Sequence, residues 1–127
     1  MTPTFNIYKA AVQYQQPKVT NDNLIIIKIK EVVSETMGVK WHQINHHTRV
    51  RNIMFARQLF QYLCFKFTTK TYKAIGSLTE HIYDHSTVIH SKDTIENILW
   101  LKTRSKNFNV CESAILRMQA YTGKVIL

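Results

Sequence analysis

The 127 residues fit one ordinary domain, and a hydrophobic content of 45% supplies a core, which excludes wholesale disorder. Three glycines (Gly38, Gly76, Gly123) and two prolines (Pro3, Pro17) are too few for the many turns of a β-sandwich or barrel. Seventeen Lys and Arg against eight Asp and Glu leave a formal net charge of +9, a surplus that points to a polyanion, most often nucleic acid.

In chain order, residues 1–20 read as an arm: they hold both prolines, several glutamines and scattered aromatics (Phe5, Tyr8, Tyr14). A domain is expected over residues 21–127. Thr20 to Asn23 offers side-chain oxygens to cap a helix, and Ile25, Ile29, Val32, Val33 and Met37 then recur at a helical period until Gly38 stops it. Trp41 to Ile44 suits a short turn of helix. The polar, basic stretch from Asn45 to Arg51 follows. Arg51 to Phe67 is expected to be a helix with Met54, Phe55, Leu59, Tyr62 and Leu63 facing the core. Thr69 to Thr71 breaks that pattern, and Tyr72 to Leu78 reads as a short helix. Asp84 is placed to cap the next one, along which Val88, Ile89, Ile95, Ile98 and Leu99 form an apolar stripe. Lys102 to Asn109 reads as a basic connector. A last amphipathic helix over about 110–121 carries Ile115, Leu116 and Met118. The fold class is therefore all-α, with about five to six helices.

Cys64 and Cys111 lie far apart without a CxxC, so they carry neither a zinc signature nor a disulfide framework. Each is expected to be a small buried residue in a protein of the reducing cytoplasm. No basic, apolar leader begins the chain, and the run Leu24 to Ile27 is far too short to span a bilayer, so no membrane association is expected.

A short helix, a tight turn and a second helix, preceded by a longer one, is the layout of a helix-turn-helix reader. In that geometry the N-terminal residues of the second helix meet base edges in the major groove. Here they are His85, Ser86 and Thr87, with His90 one turn on: short donors and acceptors, and in Thr87 a methyl suited to thymine. Helix capping is the alternative role for Ser86 and Thr87.

The run Asp84-His85-Ser86-Thr87-Val88-Ile89-His90 resembles the signature Asp-His-Ser/Thr-Thr-Val-hydrophobic-His of the C-terminal DNA-binding domain of DnaA, the bacterial replication initiator family. Ala74-Ile75-Gly76 stands where that family has its helix-to-turn Ile-Gly, and Ala56-Arg57-Gln58 matches the end of a further motif, in the same order. The resemblance implies duplex DNA as partner, read at A·T-rich nonamers called DnaA boxes, in replication initiation or its control. It implies minor-groove insertion for Arg49 and Arg51, backbone contacts near Arg57 and Gln58, and major-groove reading by His85, Ser86 and Thr87 with His90 behind them. Lys73 and Lys92 are added here as cations on the expected face, Lys92 approaching phosphates. Arginine suits the narrow, electronegative A·T minor groove.

Three departures stand against the family pattern. Its Phe-Gly-Gly-Arg before the signature Asp is replaced by Leu78 to Tyr83, one residue longer. Tyr72-Lys73 replaces Leu-Pro, and His47 and Thr48 stand where residues are often basic. The chain also holds no GxxxxGK[ST] loop for an ATPase, so it resembles a free-standing DNA-binding domain of a chromosomal, phage or mobile-element protein.

No enzyme is expected. His42 with His46 and His81 with His85 are i,i+4 pairs, but HExxH is absent and no third ligand falls at a known spacing, so neither a metal nor a cofactor is expected. The rival class is a protein-interaction module that keeps the helix-turn-helix as architecture, marked by a contiguous exposed apolar patch. DNA binding instead requires Arg49, Arg51, Lys73 and the Asp84–His90 turn on one positive face.

Overall fold

The computed structural model describes residues 19–101 and 105–127. Nearly all of the expected arm, and the first part of the expected connector, lie outside them. Among the described residues there are six helices and no strand: α1 Asp22–Met37, α2 Trp41–Asn45, α3 Arg51–Phe67, α4 Tyr72–Gly76, α5 His85–Leu101 and α6 Lys106–Thr122. The all-α expectation holds.

Local chemistry sets the boundaries. The Asn21 side-chain oxygen accepts from the N–H groups of Asn23 (2.9 Å) and Leu24 (3.2 Å), satisfying two donors that have no intrahelical partner. At the other end of α1 Gly38 takes φ +65°, a left-handed conformation that closes the helix at little cost for glycine. The last helix begins earlier than its periodicity predicts. Ser105 accepts from the N–H of Phe108 at 3.1 Å, so Lys106 to Asn109 form the first turn of α6 and are not connector.

α3 is the central rod, contacted by every other helix, while α1 and α6 pack on each other and α4 on α5. Its inward stripe is Ala56, Leu59, Phe60, Leu63 and Phe67, and from α1 it meets Ile25, Ile29, Val32 and Val33. Val88 and Ile95 of α5 and Cys111, Ala114, Ile115 and Met118 of α6 complete one contiguous core. Both cysteines are buried and free, as expected.

Two expected core positions point outward. Met54 and Leu116 are exposed, because each lies off the inward stripe of its helix. On α6 the core takes 111, 114, 115, 118 and 122, which leaves 116 on the opposite side. Ile89, Ile98 and Leu99 are only half-buried.

One buried polar contact ties α3 to α5: the Ser91 hydroxyl donates to Gln61 Oε1 at 2.6 Å. Among the described residues no helix is long and apolar enough to cross a membrane.

Candidate nucleic-acid interface

The helix-turn-helix unit is built from α4, the turn after it and α5. Thr71 Oγ1 caps α4 by accepting from the N–H of Ala74 at 3.1 Å, and buried Ile75 pins the short helix to the core. At Gly76 the chain passes against its own later backbone. The Tyr83 N–H donates to the Gly76 carbonyl at 2.9 Å, and a Cβ on residue 76 would stand 2.0 Å from the Tyr83 carbonyl oxygen. No side chain fits there. Inside the turn the hydroxyl of buried Thr79 donates to the His81 carbonyl at 2.6 Å.

Asp84 then starts α5. Its Oδ1 accepts from both the N–H (2.8 Å) and the hydroxyl (3.0 Å) of Thr87. Those two bonds, the N–H bond first, hold the Asp84 carboxyl below its ordinary pKa. Thr87 thus has a capping role, while its methyl and oxygen lone pairs stay on an exposed residue. His85 and Ser86 are exposed in the same first turn.

The loop between α2 and α3 is fastened to that turn. Asn45 Oδ1 accepts from the Glu80 N–H at 2.8 Å, and His46 Nδ1 lies 2.8 Å from the Glu80 carboxylate. His47 stacks on His81 with ring centroids 4.3 Å apart, and its Nδ1 is 3.1 Å from the Tyr83 hydroxyl. Packing around the His47 ring, then the charges of His81, Arg57 and Arg49, lower its pKa. Arg57 completes the joint: its guanidinium donates to the Thr48 carbonyl at 3.0 Å and sits 5.0 Å from the Tyr83 ring centroid.

Between loop, α3 and α5 lies a cleft of about 300 Å³. Five of the ten sequence-derived residues line it: Arg49, Arg57, Gln58, Thr87 and His90. His47, Thr48, Met54, Gln61, Tyr83 and Ser91 line it too, and no carboxylate does. Arg51 lines a second cleft on the other side of Gln58.

The remaining residues are placed differently. Arg57 is buried, where the resemblance led us to expect an open backbone contact; its place against Thr48 and Tyr83 accounts for the burial. Lys73 is exposed on α4 but lines neither cleft. Lys92 has its ammonium 3.3 Å from the Asp93 carboxylate and 3.5 Å from that of Glu96, over the Phe65 ring and away from the first cleft.

Six cleft residues escaped sequence reasoning as site members: His47, Thr48, Met54, Gln61, Tyr83 and Ser91. Met54 is apolar and was assigned to the core. Gln61 lies three residues after Gln58, a spacing that could have put it on the same face. Arg57 Nε and Gln61 Nε2 are buried donors without a protein partner among the described residues. Burial of that kind is costly unless an acceptor arrives. Among the described residues no group of three or more His, Cys, Asp or Glu is arranged to hold a metal ion.

A short helix, a turn sealed by glycine and a second helix whose first turn is exposed beside a basic loop define a helix-turn-helix domain. The chain belongs to the family described as the bacterial DnaA protein helix-turn-helix, whose model matches residues 26–95, more than half of its length. Over 68 residues, 54% of this chain, it is 40% identical to the chromosomal replication initiator protein DnaA of Lachnoclostridium phytofermentans, of which that stretch is 15%. It is 31% identical over 99 residues to the protein of the same name from Streptococcus thermophilus, covering 76% of this chain and 22% of the relative. For the Wolbachia relative from Brugia malayi the figures are 32% over 84 residues, covering 66% and 18%. The chain therefore spans about a fifth of the length of these relatives, and the family match falls on the helix-turn-helix segment.

Proposed function

We propose that this domain binds duplex DNA sequence-specifically, in replication initiation or its control. The first turns of α5 enter the major groove and the Arg49–Arg51 loop enters the adjacent minor groove. The observation that carries this reading is the first cleft: it joins Arg49 to Thr87 and His90 without a lining carboxylate, inside a helix-turn-helix of the DnaA family. His85, Ser86 and Thr87 read base edges. Arg49 and Arg51 read groove width and charge.

Gln58, whose side-chain amide lines the cleft, favours a phosphate oxygen there. Arg57 then acts chiefly by holding the loop through Thr48, and Lys73 and Lys92 serve as peripheral charges. A box-like, A·T-rich site is the first target to test, with the altered Leu78 to Tyr83 turn as the reason for its sequence to differ from the family's.

The test is fluorescence anisotropy on two labelled duplexes, one with a DnaA-box nonamer and one scrambled, across a salt series. Tighter binding to the box, with a log–log salt slope near −0.9 per phosphate neutralised, is the expected result. Equal, salt-steep binding to both would remove the box as target. No binding at low salt would overturn the DNA reading and leave protein interaction as the role of this architecture.

A further inference from the structure

We propose that the DNA path continues past the helix-turn-helix onto α6, where Lys106 and Asn107 form a second, phosphate-contact surface beside the groove-reading Arg51. The proposal rests on the DNA-binding reading above and extends its footprint to a helix that lies beyond the residues matched to the family.

The two clefts are one surface divided by a ridge. The second, of about 360 Å³, lies between the first turns of α3 and α6, lined by Arg51, Asn52, Met54, Phe55, Gln58 and Asn107. Met54 and Gln58 line both clefts. This gives outward-facing Met54 a place: it is the apolar crest between two polar troughs rather than a misplaced core residue. A backbone that occupies the first cleft beside Arg49 reaches the second without leaving contact with α3.

The chemistry of the second cleft suits phosphate and sugar rather than base edges. Its polar groups are a guanidinium and three side-chain amides, and no carboxylate lines it. Arg51, Lys106 and Asn107 are exposed; Lys106, one residue before Asn107 in the same first turn, lines the neighbouring cleft with Thr36, Asn109, Val110 and Ser113, and neither cation is in an ion pair among the described residues. Lys28, Lys66, Lys92 and Arg117 are each within 4 Å of a carboxylate. The Ser105 cap, by starting α6 at Lys106, is what sets Asn107 across from Arg51.

The experiment compares wild type with Lys106→Ala/Asn107→Ala, using Lys124→Ala, roughly 25 Å away at the far end of α6, as the control. Each is titrated over a salt series on duplexes with long flanks and with flanks trimmed to the nonamer. Phosphate contacts are mapped in parallel by ethylation interference. The double variant should lose about 0.9 from the log–log salt slope and the interference signal at one flanking phosphate. Its affinity should fall by the same factor on box and scrambled sequence, since a phosphate contact carries no base information. Trimming the flank should weaken wild type and leave the variant unchanged. Lys106→Gln, which keeps a polar first turn, should lose the slope increment without any change in melting temperature. A double variant with wild-type slope, interference pattern and flank dependence overturns the α6 contact while leaving the helix-turn-helix reading intact. A wild-type chain that binds no duplex removes both.

Discussion

Replacing Gly76 by alanine isolates the contact that aims α5, the proposed recognition helix. In a helix, alanine would ordinarily gain up to about 1 kcal/mol over glycine. Here the new Cβ would lie 2.0 Å from the Tyr83 carbonyl oxygen, 2.9 Å from its carbon and 3.4 Å from Val88 Cγ2. The first two are backbone atoms, so no rotamer change relieves them. The turn must move away, at an overpacking cost of about 1–3 kcal/mol. The 2.9 Å bond from the Tyr83 N–H to the Gly76 carbonyl is stretched or lost, for about 1 kcal/mol more. Set against the propensity gain, the net is about 2 kcal/mol of destabilisation. For a domain of this size that corresponds to a fall of roughly 8 °C in Tm by circular dichroism. Discrimination between box and scrambled duplex should fall too, measured well below the melting temperature, because Tyr83 precedes the Asp84 cap. A Gly76→Ala protein with unchanged or raised Tm would refute the close approach of residues 76 and 83 and the aiming role built on it.

Thr87 divides into two functions that two substitutions separate. Thr87→Ser keeps the hydroxyl bond to Asp84 and loses only the methyl, so it should weaken binding to the right sequence by about 1 kcal/mol and leave scrambled duplex unaffected. Thr87→Val keeps a methyl and loses that hydroxyl bond, so it should lower Tm more than it lowers discrimination; anisotropy and melting curves on both proteins check the pair. His47 gives a pH test. Its lowered pKa means that the neutral ring is favoured in the free fold, a contribution present above about pH 6.5 and lost as pH falls through the lowered value. A phosphate in the first cleft pushes that pKa back up, so binding takes up a proton and Kd should tighten from pH 8 toward pH 6. The same profile in His47→Gln would show that the proton goes elsewhere. For packing, Ile115→Ala should cost about 2–4 kcal/mol and Leu116→Ala less than about 0.5 kcal/mol in urea denaturation, since Ile115 is fully buried and Leu116 is 50% exposed.

How much of this was legible in the chain depends on the range of the interaction. Boundaries set by local chemistry were readable: a cap within Thr20 to Asn23, made by Asn21, and the stop at Gly38. The start of α3 at Arg51 was legible only as the end of the polar stretch, since no side chain caps it. The start of α6 was missed because a single serine cap, not periodicity, decides it. The inward stripes were legible as a period but not in phase at every residue, which is why Met54 and Leu116 were placed inside. The motif of α5 was legible as a string, and together with the basic loop and the Ala56-Arg57-Gln58 match it held the five residues that meet at the first cleft. Its neighbours His47 and Tyr83 were not, because they are 36 positions apart and meet only through tertiary packing. Lys92 shows what a string leaves out about charge. As a positive residue on α5 it read as a free cation, but Asp93 beside it and Glu96 one turn on are both within ion-pair distance.

The longer turn before Asp84 follows the same logic of compensation. A Phe-Gly-Gly-Arg segment would have supplied conformational freedom and a cation; Leu78 to Tyr83 supplies neither glycine nor arginine. In exchange, Glu80, His81 and Tyr83 each contact the loop at 45–48 or the guanidinium of Arg57. Exposed ion pairs such as His46–Glu80 contribute little individually. The stack, the Tyr83 hydroxyl and the buried Arg57 bond to Thr48 act on the same few residues, so breaking one loads the others. These contacts tie the loop to α5, so on the proposed reading the spacing between Arg49 and Thr87 is set inside the protein before DNA arrives. Tyr83→Ala, which removes both the hydroxyl partner of His47 and the ring under Arg57, should then weaken discrimination at bases under the loop and at bases under α5 together. Loss at one set alone, in a mismatch scan across the bound site, would mean that the two readers are independent.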